Sequence, residues 1–561
     1  MTAFYILGAL LLLLGVLIGY ARSVTHLAPP RPGDRACEAW ERREVAPGHY
    51  TLGPNWLRRE REGFYTLYVT GRPYERGVVN GKLARELIVL QEDYFNEQIV
   101  RMVPSKGYLR FLKYFVGWFN RNLPRHVTEE YKQEIYGISR SASERYSYIG
   151  TPYQRILNYH AAHDIGHALQ NLALVGCTSF GTWGSASEDG ALLIGRNFDF
   201  YLGDHFALNK IVQFEAPSEG YRFLFVTWGG FIGVVSGMNE KGLTVTINAA
   251  RSGTPLGSAT PVSLVAREIL QYAATIDQAV RIAGSRHMFV SESFLVGSAI
   301  DGRAVLLEKT PRALEVYDPG GERIVCANHF QSEGLKEDSS ASASPYRQQR
   351  LEELLDGLGP NTVEKTIGVL RDFRGLGGRD IGLGNEKALN QFIGHHSIVF
   401  EPERLRVWVS TSPWQEGAFL CYDLREAFGG TDPTEAFASA TPGGAFGGAA
   451  PRDPSADVPA DPRDASADIP ADPFMETRAF SDFLRFRALK HQMDRGEKID
   501  PDALVACDPE YFQAYVLAGD YLLRHKETAR AKVFYEQALT KEIATAKEEV
   551  HIRKQLKRCE A

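Results

Sequence analysis

At Cys177 the chain changes its period. Upstream, residues 84–172 place apolar side chains at helical spacing through "LARELIVLQEDYFNEQIV", "EEYKQEIYGISRSASE" and "YQRILNYHAAHDIGHALQNLAL". Downstream, short apolar runs are punctuated by turn residues: "CTSFGTWG" and "ALLIGRNFDF" flank "SASEDG", "FIGVVSG" and "LTVTINA" flank "MNEKG", and "SFLVGSAI" and "AVLLEKT" flank "DGR". Each reads as a hairpin, so the expected sheets are antiparallel. Helical stretches return at "VSLVAREILQYAATIDQAVRIAG" and "SPYRQQRLEELLDGL", and "HSIVFEPERLRVWVS" adds a last strand pair. Strand runs interleaved with helix pairs predict an α+β protein, a four-layer αββα sandwich in which helices cover two stacked sheets.

The flanks read differently. The first 22 residues hold no charge before Arg22, and the apolar run from Ala3 to Tyr20 is long enough to span a bilayer. An uncleaved anchor is favoured over a removed signal, although Gly19-Tyr20-Ala21 offers a small-x-small cleavage site. Arg22, Arg31 and Arg35 follow the run, which by the positive-inside rule would hold the body in the cytoplasm. The expectation is nevertheless a membrane-anchored or exported protein, extracytoplasmic side favoured. From 428 to 473 the composition collapses into glycine, alanine, proline and aspartate, with "SADVPADPRD" nearly repeated as "SADIPADPF"; this reads as a disordered linker. Beyond it, Tyr515, Gly519, Ala531, Tyr535 and Ala538 fall at the offsets of one tetratricopeptide helix pair. The expected division is 1–22 anchor or signal, 23–176 helical part, 177–427 sandwich, 428–473 linker and 474–561 helical tail. The tail is expected to dock a protein partner and to be dispensable for chemistry.

The charge balance, 63 basic against 69 acidic side chains, leaves no basic footprint for nucleic acid. Six cysteines, widely spaced and without a C-x-x-C pair, make neither a disulfide scaffold nor a zinc site. Each thiol is therefore read singly, and the bland reading of any of them is a small buried hydrophobe. Cys177 invites more. If it were the first residue of a mature chain, its α-amino group, titrating near ~7.7–8.0, would be a base held beside the thiol by covalent geometry. The hairpin folding back at Asp189-Gly190 returns Arg196 and Asp199 to the Cys177 end. Residues three apart on a regular strand face opposite sides, so both reach the thiol only at a bulge or a strand end.

"GCTSF" followed by "GRNFDF" resembles the cysteine N-terminal-nucleophile hydrolases of the isopenicillin-N acyltransferase-like family, related to choloylglycine hydrolases and acid ceramidase. The resemblance extends to "VTGRPYERGVVNGKLARELI" at 69–88, "GMNEKGLTVTINA", "ANHF" and "SPYRQQRLEEL", and covers about Tyr50 to Leu424. It implies that residues 23–176 are a prosegment, that the chain cleaves itself between Gly176 and Cys177, and that Cys177 is then nucleophile and, through its amine, base. It further implies that Asp199 orients the α-amino group, that Arg196 favours the thiolate, and that Asn248 and Asn328 serve the oxyanion. Arg347 is the distal arginine, with Arg350 left as the alternative. The implied activity is an amidohydrolase or acyltransferase acting on a small N-acyl amide or acyl donor; a lipid or bile-acid-type amide is the runner-up. A catalytically silent, membrane-tethered interaction protein is the reading of another class. "FVTWGGFIGVV" would suit a greasy acyl chain.

No cofactor and no metal is expected. His160, His163 and His167, with Asp164, share a helical face at zinc-like spacing but lack a third ligand with a matching motif. His395 and His396 are adjacent at the start of an expected strand, where they should point to opposite faces. Cys326 is expected to be packing.

Overall fold

The structure, a computed structural model, describes residues 2–61, 63–102, 105–162, 164–166, 176–201, 203–253, 255, 257–428 and 462–560. Two sheets stack at its centre. The larger runs in the order β1 (Arg43–Ala46), β2 (His49–Leu52), β3 (Asn55–Arg61), β4 (Phe64–Gly71), β7 (Lys210–Pro217), β8 (Phe223–Thr227), β9 (Ser236–Asn239), β10 (Leu243–Ala249), β11 (Glu292–Ser298), β12 (Arg303–Lys309) and β13 (Leu314–Tyr317). The smaller runs β14 (Arg323–Cys326), β5 (Thr178–Thr182), β6 (Leu193–Phe198), β15 (His396–Glu401), β16 (Arg406–Ser410) and β17 (Phe419–Asp423). Val212, Phe214, Leu224, Val226, Leu295 and Leu306 of the first sheet meet Ile194, Ile324, Ile398, Phe400, Val407 and Leu420 of the second, all buried. At ~1.5–3 kcal/mol for each such side chain withdrawn from water, this interface alone outweighs any polar term in the fold. Cys326 lies in it, as packing.

Helices close both outer faces. Tyr131, Ile135, Ile156, Val265, Ile269 and Ile282 pack against Phe223, Phe225, Val245 and Val305 on the large sheet. Leu351, Leu355, Ile367 and Leu370 pack against Phe180, Val325, Val399 and Phe419 on the small one. The expected αββα order is thus present, but two expectations within it are corrected. The part before residue 176 is not wholly helical, since β1–β4 form one end of the large sheet. Nor is that sheet wholly antiparallel: β4 pairs parallel with β7, from Phe64 opposite Lys210 to Gly71 opposite Pro217. A parallel pair needs a crossover, and the helices between β4 and β5 supply it.

The stretch at 69–88 serves this junction. Arg76, fully buried on the helix Pro73–Leu83, lies 2.9 Å from Glu134, from Glu130 and from Glu215, and Arg267 bonds Glu134 and Glu215 from the helix Val262–Tyr272. Each partner holds the other's charge in a site where either alone would be severely penalised. Burial nevertheless pushes the Glu215 carboxyl up to about 7, against the pull of Arg267 and Arg76.

The tail departs most from expectation. Of the stretch 428–473, residues 462–473 are structured: Ile469 bridges to Phe419 and Arg463 to Tyr422, and the Trp408 indole donates to Ala467 O at 2.8 Å. Residues 429–461 lie outside the described residues. The helices Arg478–Asp494, Pro501–Cys507, Phe512–Arg524, Thr528–Ala538 and Ala546–Glu560 follow. Ala531, Tyr535 and Ala538 are buried between them. Their core, with Phe480, Phe483, Leu504, Phe512 and Leu522, takes in Leu383 and Phe392 of the sandwich, so the tail is packed onto the sandwich and not suspended from it.

The N-terminal apolar run forms a helix, Thr2–Thr25. Taken over the described residues, no helix is long and apolar enough to cross a membrane.

Candidate active site

The β5–β6 hairpin builds the centre. Its register sets Thr178 opposite Asn197 and Ser179 opposite Arg196, so the residues just outside the strands, Cys177 and Asp199, meet at the open end. Gly176 N donates to Asp199 O at 2.9 Å and continues the pairing. Arg196 lies across from Ser179, on the face that Cys177 also shares by the two-residue repeat, and its Nη2 is 3.7 Å from Cys177 Sγ. Asp199 stands directly after the end of β6, its backbone oxygen 3.8 Å from Cys177 Sγ.

The groups are all buried, and their protonation follows from that. Burial pushes the Cys177 thiol up to about 11, with Arg196 pulling against it. Burial also pushes Asp199 up to about 7, although the guanidinium groups of Arg347 and Arg196 draw it down. The Gln415 amide also draws Asp199 down, although no donor meets either carboxylate oxygen in good hydrogen-bond geometry.

Asn328 donates from Nδ2 to Ala249 O at 2.9 Å and accepts from Arg347 Nη2 at 2.6 Å. Arg347 also donates to Glu386 O at 2.8 Å. Arg350, three residues along the same helix, turns away and pairs with Asp372 at 2.9 Å. Of the two arginines left open by the motif, it is Arg347 that faces the centre. Asn248 is present too, but its amide is engaged: Nδ2 donates to Cys326 O at 3.3 Å and Ala327 O at 3.2 Å, and Oδ1 accepts from Ser179 Oγ.

The expectation for the two adjacent histidines is corrected. His395 precedes β15 and so is not bound by its alternation; its Nδ1 lies 2.9 Å from His396 Nδ1, and His396 Nε2 lies 2.9 Å from Ser236 Oγ. Ser236 Oγ in turn accepts from Arg196 Nη1. A guanidinium only donates, so Ser236 Oγ is an acceptor towards Arg196; towards His396 Nε2 the hydroxyl donates or, through its second lone pair, accepts, according to the tautomer of the ring. The Nδ1–Nδ1 contact requires one of the two ring nitrogens as acceptor, so at least one ring is neutral. Burial holds both well below the usual histidine range, with Arg196 acting in the same direction.

Two further residues carried no sequence signal. Gln391, in a segment without period, donates from Nε2 to Gly176 O at 2.9 Å. Glu292, the first residue of β11, is fully buried with neither carboxyl oxygen bonded, and burial pushes it well up. By contrast, His160 is a satisfied structural residue: Nδ1 bonds Ile156 O at 2.8 Å and Nε2 accepts from Ile232 N at 3.0 Å. Asp164 caps the helix Val262–Tyr272 through Val262 N. His163 and His167 lie outside the described residues; among those described, no cluster of three or more His, Cys, Asp and Glu is placed to hold a metal.

An aromatic pocket adjoins the hairpin end. Phe95, Tyr159, Phe200, Phe206, Trp228 and Phe231 line it, and Cys177 belongs to the same apolar cluster as Phe200, Phe206 and Phe231. A larger, polar cleft at Asp189, Asn361, Glu401 and Arg404 opens at the turn end of the hairpin, away from Cys177.

Residues 185–410 match the family model described as acyl-coenzyme A:6-aminopenicillanic acid acyl-transferase, the family the motifs resemble. The matched span holds Arg196, Asp199, Asn248, Asn328 and Arg347 and begins after Cys177. The chain is 26% identical over 200 residues to an N-acylethanolamine-hydrolyzing acid amidase of Caenorhabditis elegans, covering 34% of this chain and 53% of that protein. It is 25% identical over 274 residues to an uncharacterised protein of Archaeoglobus fulgidus (45% and 44% covered) and 26% identical over 271 residues to protein dcd1B of Dictyostelium discoideum (45% and 51%). The chain thus spans about half the length of the curated relatives it matches. Among solved structures, the Caenorhabditis elegans N-acylethanolamine-hydrolyzing acid amidase ortholog overlaps with a TM-score of 0.30 at 20% identity, covering 40% of this chain and 93% of that one. The fold rests on the sheet topology itself. The comparisons with known proteins do not support the tetratricopeptide reading of the tail.

Proposed function

We propose that the chain is a self-processing cysteine N-terminal-nucleophile amidohydrolase or acyltransferase, which takes the acyl group of a carboxamide onto Cys177 as a thioester and passes it to water or to an amine. The observation that carries this reading is the Arg196 guanidinium 3.7 Å from Cys177 Sγ, at a thiol directly preceded by glycine. In the uncleaved chain the buried thiol keeps its proton. Attack on the Gly176 carbonyl carbon forms a C–S bond; the C–N bond then breaks, and the thiol proton leaves with the nitrogen as a free α-amine. Water cleaves the thioester to a Gly176 carboxylate and the restored thiol. The new amine, with an ordinary pKa of ~7.7–8.0, then serves as base for substrate attack, and Arg196 stabilises the thiolate.

The substrate in this reading is a small N-acyl amide whose acyl chain enters the pocket of Phe95, Phe200, Phe206, Trp228 and Phe231. Within the enzyme class this favours a lipid-type amide, in keeping with the named activity of the Caenorhabditis elegans relative. A silent scaffold is disfavoured on energetic grounds: Arg196, Asp199, Asn248, Asn328 and Arg347 are buried together, at a desolvation cost that packing alone does not require.

Intact-mass analysis of the purified chain, followed by thioester trapping with a panel of N-acyl amides, tests the reading. Expected are two fragments meeting at Gly176–Cys177 and an acyl adduct on Cys177. An intact chain with full amidase activity overturns the processing; absence of any adduct across the panel overturns the amidase.

A further inference from the structure

Gln391 has no part in the chemistry outlined so far, yet its side-chain amide is the group on the scissile carbonyl. Nε2 donates to Gly176 O at 2.9 Å, and the residue is 2% exposed. The opposite amide orientation would set oxygen against oxygen, so the donor is fixed by the contact itself. The fit is close: a Cβ on residue 176 would fall 2.3 Å from Gln391 Nε2 and push the amide off the carbonyl. The other candidate donor, Asn248, spends its amide hydrogens on Cys326 O and Ala327 O instead.

What holds Gln391 is the tail. The next residue, Phe392, packs with its ring centroid 4.8 Å from that of Phe483, tilted by 50°, within the tail's own core. Leu383 N donates to Asp508 Oδ2 at 2.7 Å, Tyr511 Oη donates to Gly384 O at 3.0 Å, and Asn385 Nδ2 donates to Glu542 O at 2.8 Å. Gly382, at φ +82°, lets the tail backbone come so close that a Cβ there would lie 2.3 Å from Tyr511 Cα. Segment 382–392 is thus clamped between the tail helices and the Gly176–Cys177 bond.

We infer that Gln391 is the oxyanion donor of the self-cleavage and that the C-terminal helices are the scaffold that aims it. The inference rests on the self-processing reading above. When Cys177 Sγ adds to the Gly176 carbonyl, the negative charge develops on the oxygen that Gln391 already bonds; the donor stays in place while the C–N bond breaks and the thiol proton goes to nitrogen. A preorganised donor in a dry site is worth about 10²–10³ in rate.

The test is the half-time of Gly176–Cys177 cleavage in the full chain, followed by intact mass after expression is shut off. Gln391→Met keeps length and removes the donor, and is expected to lengthen the half-time about 10²–10³-fold. Gln391→Leu, which removes every polar atom at the position, is expected to slow it by a similar factor. Phe483→Ala, acting through segment 382–392, is expected to slow cleavage about tenfold, and to add nothing further when combined with Gln391→Met, as a shared route demands. Cleavage within twofold of wild type in Gln391→Met overturns the assignment; if that variant is not recovered folded, the same result in Gln391→Leu does so. Additive effects in the double variant overturn the role of the tail. A wild-type chain that never cleaves is a different failure, since it sinks the self-processing reading itself.

Discussion

The imidazoles of His395 and His396 face each other Nδ1 to Nδ1 at 2.9 Å, and through Ser236 this pair reaches the arginine that sits on the Cys177 thiol. The Nδ1–Nδ1 contact needs one ring nitrogen as acceptor, so protonating both rings breaks it. Each histidine is a base whose folded pKa is depressed, so its contribution to stability is present above the unfolded value near 6.5 and is lost as pH falls below it. His396→Ala removes the ring partner of the Ser236 hydroxyl and is expected to cost about 1–3 kcal/mol at pH 8, with a smaller penalty at pH 5. Urea midpoints at the two pH values check this; an equal penalty at both would mean that the rings are not coupled to Arg196 as described.

Arg347 and Arg350 separate by partner. Arg347→Ala strips Asn328 Oδ1 of its donor and Asp199 of a nearby cation, and is expected to lower amide turnover by about 10²-fold or more. Arg350→Ala breaks a partly buried pair with Asp372 and is expected to lower stability by about 1 kcal/mol while amide turnover remains. Steady-state kinetics with thermal midpoints distinguishes the two, and the reverse pattern would move the distal-arginine role to Arg350.

Cys177→Ala is expected to abolish both cleavage and turnover. Cys177→Ser should cleave slowly, because a hydroxyl is the weaker nucleophile near neutral pH. Mass spectrometry of the two variants after prolonged incubation is the measurement, and a cleaved alanine variant would place the nucleophile elsewhere.

Asp508 carries a pH signature for the tail contact. Burial pushes its carboxyl up from 3.8 to about 7, so its contribution is fully present below the unfolded pKa and is lost as pH rises through about 7. Asp508→Asn keeps an acceptor for Leu383 N and removes the ionisation. It is expected to stabilise the chain on the order of 1–2 kcal/mol at pH 8 and to change little at pH 4. Chemical denaturation at both pH values decides it.

A chain ending at Phe428 exposes Leu383 and Phe392 and frees the segment that carries Gln391. Such a truncation is expected to cleave itself at least tenfold more slowly than the full chain. Folded, truncated protein that cleaves and turns over at the full rate would restore the view of the tail as a separate docking module.

The layered α+β architecture and the order Cys177, Arg196, Asp199, Asn248, Asn328, Arg347 were legible in the amino-acid order alone. Both are local properties: the switch of apolar period at Cys177 marks helices from strands, and a tight turn at Asp189-Gly190 returns one hairpin end to the other whatever the rest of the chain does. Only the tertiary structure decided between Arg347 and Arg350, since three residues on one helix differ in facing by an angle that packing selects. Only it joined β4 to β7 in parallel, because that pairing links strands far apart in the chain. Gln391 was illegible for the same reason: it lies in an aperiodic, glycine-rich segment held by Phe483, Asp508 and Tyr511, residues far along the chain that meet it only after the tail has packed. The His395–His396 pair was visible in the sequence, but the contact between its rings depends on His395 standing just outside β15.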